Sequence, residues 1–124
     1  MSTDAQVRAV LVAAAREFNA RRYFEAHEVL EEGLDVVPSD LWDLFLGLIQ
    51  VAVGYHKVSQ HLWTGARNML ERGREKIASF PATAAGLNLE ALRQRVRDDI
   101  ERLSAGAFDV DAWARQPPRL QPLA

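Results

Sequence analysis

The sequence predicts an all-α fold: a compact bundle of two antiparallel helix hairpins plus a C-terminal helix, with about five main helices. Apolar residues recur every three or four positions along most of the chain, which is the period of an amphipathic helix. The pattern aromatic-x-x-Ala-x-x-x-Leu-Glu-x-Gly occurs at Tyr23–Gly33 and again at Trp63–Gly73. A length of 124 residues suits one domain with one continuous core.

The repeated pattern is similar to the second helix of a tetratricopeptide hairpin, in which small residues let paired helices approach closely. Its period here is 40 residues, from Tyr23 to Trp63, whereas the usual period is ~34. Two units also fall short of the roughly three that a solenoid needs. The sequence therefore predicts two helix hairpins that pack as a compact bundle.

Turn residues separate the predicted helices. Asn19–Arg22 lies between the first two, Pro38 and Ser39 precede the third, and Pro81–Gly86 forms a loop before the fifth. The predicted ranges are about Asp4–Asn19, Tyr23–Leu34, Asp40–Leu62, Trp63–Ser79 and, from a cap at Asn88, the apolar stripe that ends at Leu103.

The C-terminal region is predicted to hold one more short element. Asp109 or Asp111 caps a last turn that docks Trp113, and Pro117-Pro118 begins an extended segment. We therefore expect a single helical domain over residues 1–116 and an extended, Pro-rich tail over residues 117–124.

The third predicted helix is apolar on nearly all sides from Leu44 to Val53, as expected for the central helix of a bundle. Gly47 and Gly54 lie on one stripe of this helix. Because each glycine costs ~1 kcal/mol in a helix interior, the pair predicts a close approach by a neighbouring helix. The longest apolar run, from Leu44 to Tyr55, is shorter than the ~20 residues that a membrane span needs, so no membrane contact is expected.

Composition narrows the classes of function. The chain has no cysteine, which excludes disulfides, thiolate metal sites and cysteine nucleophiles. No targeting segment is visible, and we predict a cytoplasmic location. The stretch from Glu25 to Asp43 holds seven acids and no Lys or Arg, and no strongly cationic stretch is present. Nucleic acid is therefore not an expected partner.

A polar cluster on the second and third predicted helices is the candidate functional site, and its members are Glu25, His27, Glu28, Gln50 and His56. We expect the two helices to bring Glu25 or Glu28 near Gln50 and His56, because a buried amide or imidazole needs polar partners. Three interpretations stay open: pairing that only fixes the helix register, a metal or small-ligand site, and a solvated face.

A divalent metal is the one cofactor that this cluster suggests. The candidate ligands are His27, Glu28, Glu31 and His56. His27 and Glu31 are four residues apart and share a helix face. The segment His27-Glu28-x-x-Glu31 resembles the zinc-protease motif H-E-x-x-H, with a glutamate in place of the second histidine. The Glu-x-x-His motif of di-iron bundles is absent.

The motif residues resemble a known family. Phe18-Asn19 and Tyr23–Glu31, with the downstream landmarks Phe45, Gly47–Gln50, Ala52, His56 and Gly65-Ala66, are similar to the domain of unknown function 309 family. The resemblance covers about residues 9–79 and implies a small all-helical bacterial or archaeal domain of unassigned biochemical activity. The resemblance implies that the polar residues of the family motif correspond to the members of the polar cluster in this sequence. Members commonly carry glycine in both hairpin turns, near Arg21 and His61 here.

Two hypotheses of function follow. The first is a binding or interaction module that uses the acidic second helix or the pocket beside it, with an unidentified protein or small ligand as partner. The second is a metal-dependent hydrolase or related enzyme in which Glu28 and His56 are metal ligands or an acid–base pair. The sequence assigns no catalytic residue, and it leaves open a homodimer formed through exposed aromatic side chains.

Overall fold

The computed structural model describes residues 3–123 and confirms the all-α fold. The helices in this range are α1 (Thr3–Asn19), α2 (Tyr23–Gly33), α3 (Trp42–Ser59), α4 (Trp63–Ile77), α5 (Leu89–Ser104) and α6 (Val110–Arg115). Two small elements were not predicted from the sequence. A 3-10 turn, Ser39–Leu41, leads into α3, and an antiparallel hairpin of β1 (Thr83–Ala84) and β2 (Leu87–Asn88) leads into α5.

The two helix hairpins, α1–α2 and α3–α4, turn in the same way. Arg21 and His61 occupy equivalent positions in the two turns and have φ angles of 66° and 61°. In both turns the N–H of the next residue donates to the carbonyl five positions earlier, at 2.9 Å. The sequence repeat is therefore a structural repeat, and its left-handed position is one where glycine is favoured.

Glycines bring α3 and α4 into close contact. A methyl group at Gly47 would lie 2.6 Å from Cγ2 of Ile77, and one at Gly73 would lie 2.7 Å from the carbonyl oxygen of Gly47. One at Gly54 would lie 2.8 Å from the side chain of Leu70. The close approach predicted from the two α3 glycines is confirmed, since side chains at these positions would force the helices apart.

α3 is the central helix, as predicted, and packs between α2 and α4. Its buried apolar side chains face several directions: Leu44, Phe45, Leu48, Ile49, Val51, Ala52, Tyr55 and Val58. α5 packs against α4, and its N-cap Asn88 accepts the N–H of Ala91 at 3.2 Å, as the sequence predicts. Within residues 3–123, no helix combines the length and the apolar character needed to cross a bilayer.

The extended segment after α6, residues 117–123, runs back to the first hairpin. Leu120 is 2% exposed, and the side-chain amide of Asn19 accepts its N–H at 2.8 Å and donates to its carbonyl oxygen at 2.9 Å. Further along, the N–H of Leu123 donates to the carbonyl oxygen of Gly86 at 2.6 Å. The segment therefore connects the end of α1 with the β-hairpin.

Candidate ligand-binding site

Glu28 of α2 points away from the core. Ala26 and Leu30 are buried, and because a helix turns by about 100° per residue, position 28 lies on the opposite side from both. Glu28 is exposed and has no hydrogen-bond or ion-pair partner among residues 3–123. The structure thus corrects the expected inward orientation of this carboxylate. Glu25, one residue before Ala26, is half-buried.

Gln50 and His56 of α3 do not pair with the carboxylates of α2. The Nζ of Lys76, on α4, donates to Oε1 of Gln50 at 2.8 Å, so a cation from α4 satisfies this amide. The ring of His56 lies 5.3 Å from that of Phe24, between ring centroids, and Phe24 in turn lies 4.7 Å from the ring of His27. The polar cluster is therefore divided between two places: two histidines beside an exposed phenylalanine, and an amide bonded to a lysine.

The candidate metal ligands come together only in part. Nε2 of His27 is 3.7 Å from Oε1 of Glu31, which agrees with their spacing of four residues. Glu28 and His56 do not join this pair. In the part of the chain that the structure describes, no three His, Asp or Glu side chains are grouped so that they could hold a metal ion.

A fully buried carboxylate, that of Asp99, lies between α3 and α5. The hydroxyl of Tyr55 donates to its Oδ2 at 2.7 Å, and Nε of Arg95 donates to the same oxygen at 2.9 Å. Nη1 of Arg102 donates to Oδ1 at 2.8 Å. Because two cations and a hydroxyl surround the carboxylate, these bonds offset the cost of burying its charge.

Asp99 occupies a core position of α5. It lies three residues after Val96 and four before Leu103, which are both buried. Arg95 and Arg102 lie four before and three after it, so both can reach its side chain along the helix. An acid within the apolar stripe of a helix is the sequence signal for this arrangement. The sequence-based prediction of α5 missed it, because only apolar residues were assigned to that stripe.

Aromatic rings surround Tyr55, and two of these side chains carry a buried polar group without a hydrogen-bond partner among residues 3–123. The ring of Tyr55 lies 5.8 Å from that of Tyr23 and 6.1 Å from that of Trp113, and the latter two are 5.9 Å apart. The Tyr23 hydroxyl and the Trp113 indole N–H are buried and have no hydrogen-bond partner within residues 3–123. Burial raises the pKa of Tyr23 to about 12. Burial, together with the Asp99 carboxylate, raises the pKa of Tyr55 well above its ordinary value, so both hydroxyls are protonated at neutral pH.

A cleft of about 250 Å³ opens between α5 and α6, beside the Asp99 carboxylate. The residues that matter for its chemistry are Arg95, Arg102, Phe108, Asp109, Trp113 and Gln116. The side chains of Arg95 and Arg102 are 24% and 56% exposed, so each guanidinium reaches from the buried carboxylate toward the surface. Asp109, one of the two caps that the sequence offered, caps α6 by accepting the N–H of Ala112 at 3.0 Å. The cleft therefore combines two anchored cations with an aromatic wall.

The fold and the cleft define a class of protein: a small all-helical domain of two helix hairpins, with an arginine-lined cleft against its C-terminal helices. The model of a family described as "Domain of unknown function (DUF309)" matches residues 11–69, so this part of the chain is similar to that family. No curated protein matches the chain at a significant level. The matched range contains Tyr55, whereas the two cleft arginines and Asp99 lie beyond it.

Proposed function

We propose that this protein is a binding module for a small anion, which it holds in the cleft between α5 and α6. The observation that carries the proposal is that Arg95 and Arg102 both bond to buried Asp99 and both line the cleft. A guanidinium has five N–H donors. Within residues 3–123, each of these two uses one donor on Asp99, so further donors of both are available to an anion.

The anchoring of the two arginines supports a binding role. A free arginine side chain loses up to about 2 kcal/mol of rotamer entropy when a ligand fixes it. Here Asp99 holds both guanidiniums before any ligand arrives, and Tyr55 of the central helix holds Asp99. Donors that are already in place bind an anion with a smaller entropic cost.

The polar cluster on α2 and α3 remains a predicted second surface for a protein or small ligand. Two observations favour the cleft over it. The amide oxygen of Gln50 is already bonded to Lys76, and no partner among residues 3–123 holds the exposed Glu28 carboxylate in place as Asp99 holds the two arginines. A metal-dependent hydrolase that uses Glu28 and His56 likewise stays a prediction. So does a cytoplasmic location, which rests on the cysteine-free composition.

Calorimetric titration with acetate and with inorganic phosphate tests the proposal. We expect saturable binding in the range of about 1 mM, measured at constant ionic strength so that screening does not change during the titration. Arg102→Gln should weaken binding at least fivefold, or about 1 kcal/mol, because it removes charge-assisted donors. The matched control is Arg72→Gln, which changes an exposed arginine of α4 that does not line the cleft.

The melting temperatures of both variants establish that they are folded before their affinities are compared. Absence of saturable binding of either anion to the unmodified protein would contradict the proposal. An equal loss of affinity in Arg72→Gln and Arg102→Gln would also contradict it, because the binding would then be a general effect of surface charge.

A further inference from the structure

We infer that the cleft selects monoanions that carry a single aromatic ring, of the class of the aryl carboxylates. The inference rests on the anion site proposed above and names the ligand class of that site. Three features of the cleft support it: an aromatic wall, the balance of its charges, and its volume.

The apolar wall of the cleft is aromatic and continues to the protein surface. Phe108 and Trp113 line the cleft, with ring centroids 6.3 Å apart. Phe108 also contacts Trp63 at 5.6 Å, and Trp63 stacks on His61 at 5.1 Å with an interplanar angle of 16°. Trp63 is 36% exposed, so this row of rings extends from the cleft into solvent. Such a row offers the offset and edge-on contacts that aromatic rings prefer.

The charges around the cleft favour a monoanion over a dianion. The two cations, Arg95 and Arg102, are matched by two carboxylates, the buried Asp99 and the rim residue Asp109. A carboxylate ligand uses the unoccupied N–H donors and adds one negative charge. A phosphate dianion adds two negative charges near Asp109, and the cleft-lining residues include no cation beyond the two arginines to offset them.

The volume of the cleft suits a ligand with one ring. A protein cavity of roughly 150 Å³ is enough to hold benzene, whereas pockets for drug-sized ligands are roughly 300–1,000 Å³. At about 250 Å³, the cleft has room for a ring with a carboxylate group and is smaller than the pockets that hold drug-sized ligands.

Titrations with benzoate, acetate, benzyl alcohol and phenyl phosphate test the inference by calorimetry and by tryptophan fluorescence. We expect benzoate to bind about tenfold more tightly than acetate, because its ring adds an aromatic contact. Phenyl phosphate at pH 8, where it is a dianion, should bind more weakly than benzoate, and benzyl alcohol should show no saturable binding. Benzoate should also change the fluorescence of the protein, since Trp113 lines the cleft.

Three variants separate the ring contact from the charge contact. Phe108→Ala should abolish the tenfold preference for benzoate over acetate, because it removes the ring that lines the cleft. Phe24→Ala, which removes an exposed ring of α2 that does not line the cleft, should keep the preference. Arg102→Gln should weaken benzoate and acetate by the same factor.

The outcomes distinguish this inference from the proposed function. Equal affinities for benzoate and acetate, both reduced by Arg102→Gln, would overturn the inference and leave the anion site in place. Tighter binding of phenyl phosphate than of benzoate would overturn the preference for a monoanion. Saturable binding of benzyl alcohol would identify an apolar site and overturn the inference, and no binding of any anion would overturn the proposed function itself.

Discussion

The hydroxyl of Tyr23 lies in the aromatic core without a hydrogen-bond partner in residues 3–123. Because an unpaired buried polar group costs roughly 1–3 kcal/mol, we predict that Tyr23→Phe raises the free energy of unfolding by about 1 kcal/mol, measured by urea denaturation. The matched control is Tyr55→Phe, which removes a donor from buried Asp99 and should lower stability by about 1–3 kcal/mol. Destabilisation of similar size in both variants would contradict the prediction.

The same hydroxyl makes stability depend on alkaline pH. Burial raises the pKa of Tyr23 in the folded protein to about 12, from an ordinary value of 10.0. Between these values the unfolded chain loses a proton that the folded protein keeps, so stability is complete below pH 10 and falls as the pH rises toward 12. We expect a loss of about 2 kcal/mol from this residue. Urea midpoints measured from pH 9 to pH 12 should therefore fall less steeply in Tyr23→Phe, and parallel curves would count against this assignment.

Arg21 has a left-handed backbone in the first hairpin turn, with a φ angle of 66°. This conformation costs a non-glycine residue roughly 1–2 kcal/mol, whereas glycine adopts it freely at some cost in unfolded-state entropy. We predict that Arg21→Gly raises the free energy of unfolding by about 0.5 kcal/mol. Arg22→Gly is the control: its φ angle is −97°, and it should destabilise the protein. A loss of stability in both variants would refute the prediction.

At the scale of elements, the contact between α3 and α4 depends on Gly73. A methyl group there would lie 2.7 Å from the Gly47 carbonyl oxygen and 2.8 Å from Cγ2 of Val51. We predict that Gly73→Ala destabilises the protein by about 2 kcal/mol or more, because backbone atoms cannot move aside cheaply. Thermal and urea unfolding both measure this effect.

Gly65→Ala, in the same helix, is the matched control for Gly73→Ala. The nearest atom to the added methyl group is Cδ of Lys57, at 3.1 Å, which belongs to a flexible side chain. The greater helix propensity of alanine should then stabilise the protein by about 0.5–1 kcal/mol. If both substitutions changed stability in the same direction, close packing at Gly73 would not be the determining factor.

The helices could be predicted from the sequence because each carries a continuous apolar stripe between clear turn residues. The third predicted helix began two residues early, at Asp40, and continued to Leu62, whereas α3 spans Trp42–Ser59. The chain around Asp40 forms a 3-10 turn, which has no apolar period to detect over three residues. The strands β1 and β2 have two residues each, too few for the alternation that identifies a strand.

At the scale of the whole molecule, Leu120 joins the end of the described chain to its first hairpin. We predict that Leu120→Ala lowers the free energy of unfolding by about 2–3 kcal/mol, because it leaves a cavity beside the first hairpin. Leu123→Ala is the control: that side chain is 40% exposed, and its loss should cost less than about 0.5 kcal/mol. Urea denaturation compares the two, and equal effects would show that residues 117–123 do not stabilise the bundle.

The candidate site could be predicted less well than the fold, for a reason that Glu28 and Asp99 illustrate. Glu28 lies in a stretch of acids without Lys or Arg and belongs to the predicted polar cluster, yet it lies opposite the buried stripe of its helix. Asp99 is surrounded in the sequence by other charges, yet it is fully buried. The helix period gives the direction of each side chain relative to its own helix. The partners across the bundle, such as Tyr55 for Asp99, depend on tertiary packing that one sequence does not reveal.

The segment 34–41, which links the two helix hairpins, has a consequence for how copies of this chain could assemble. The segment 34–41 is the covalent connection between α1–α2 and α3–α4, and α2 packs directly on α3. If that link were too short to fold back, α1–α2 of one molecule would pack on α3 of another, with every intramolecular contact remade between molecules. Deletions in residues 34–41 would then produce intertwined, domain-swapped dimers without creating any new interface.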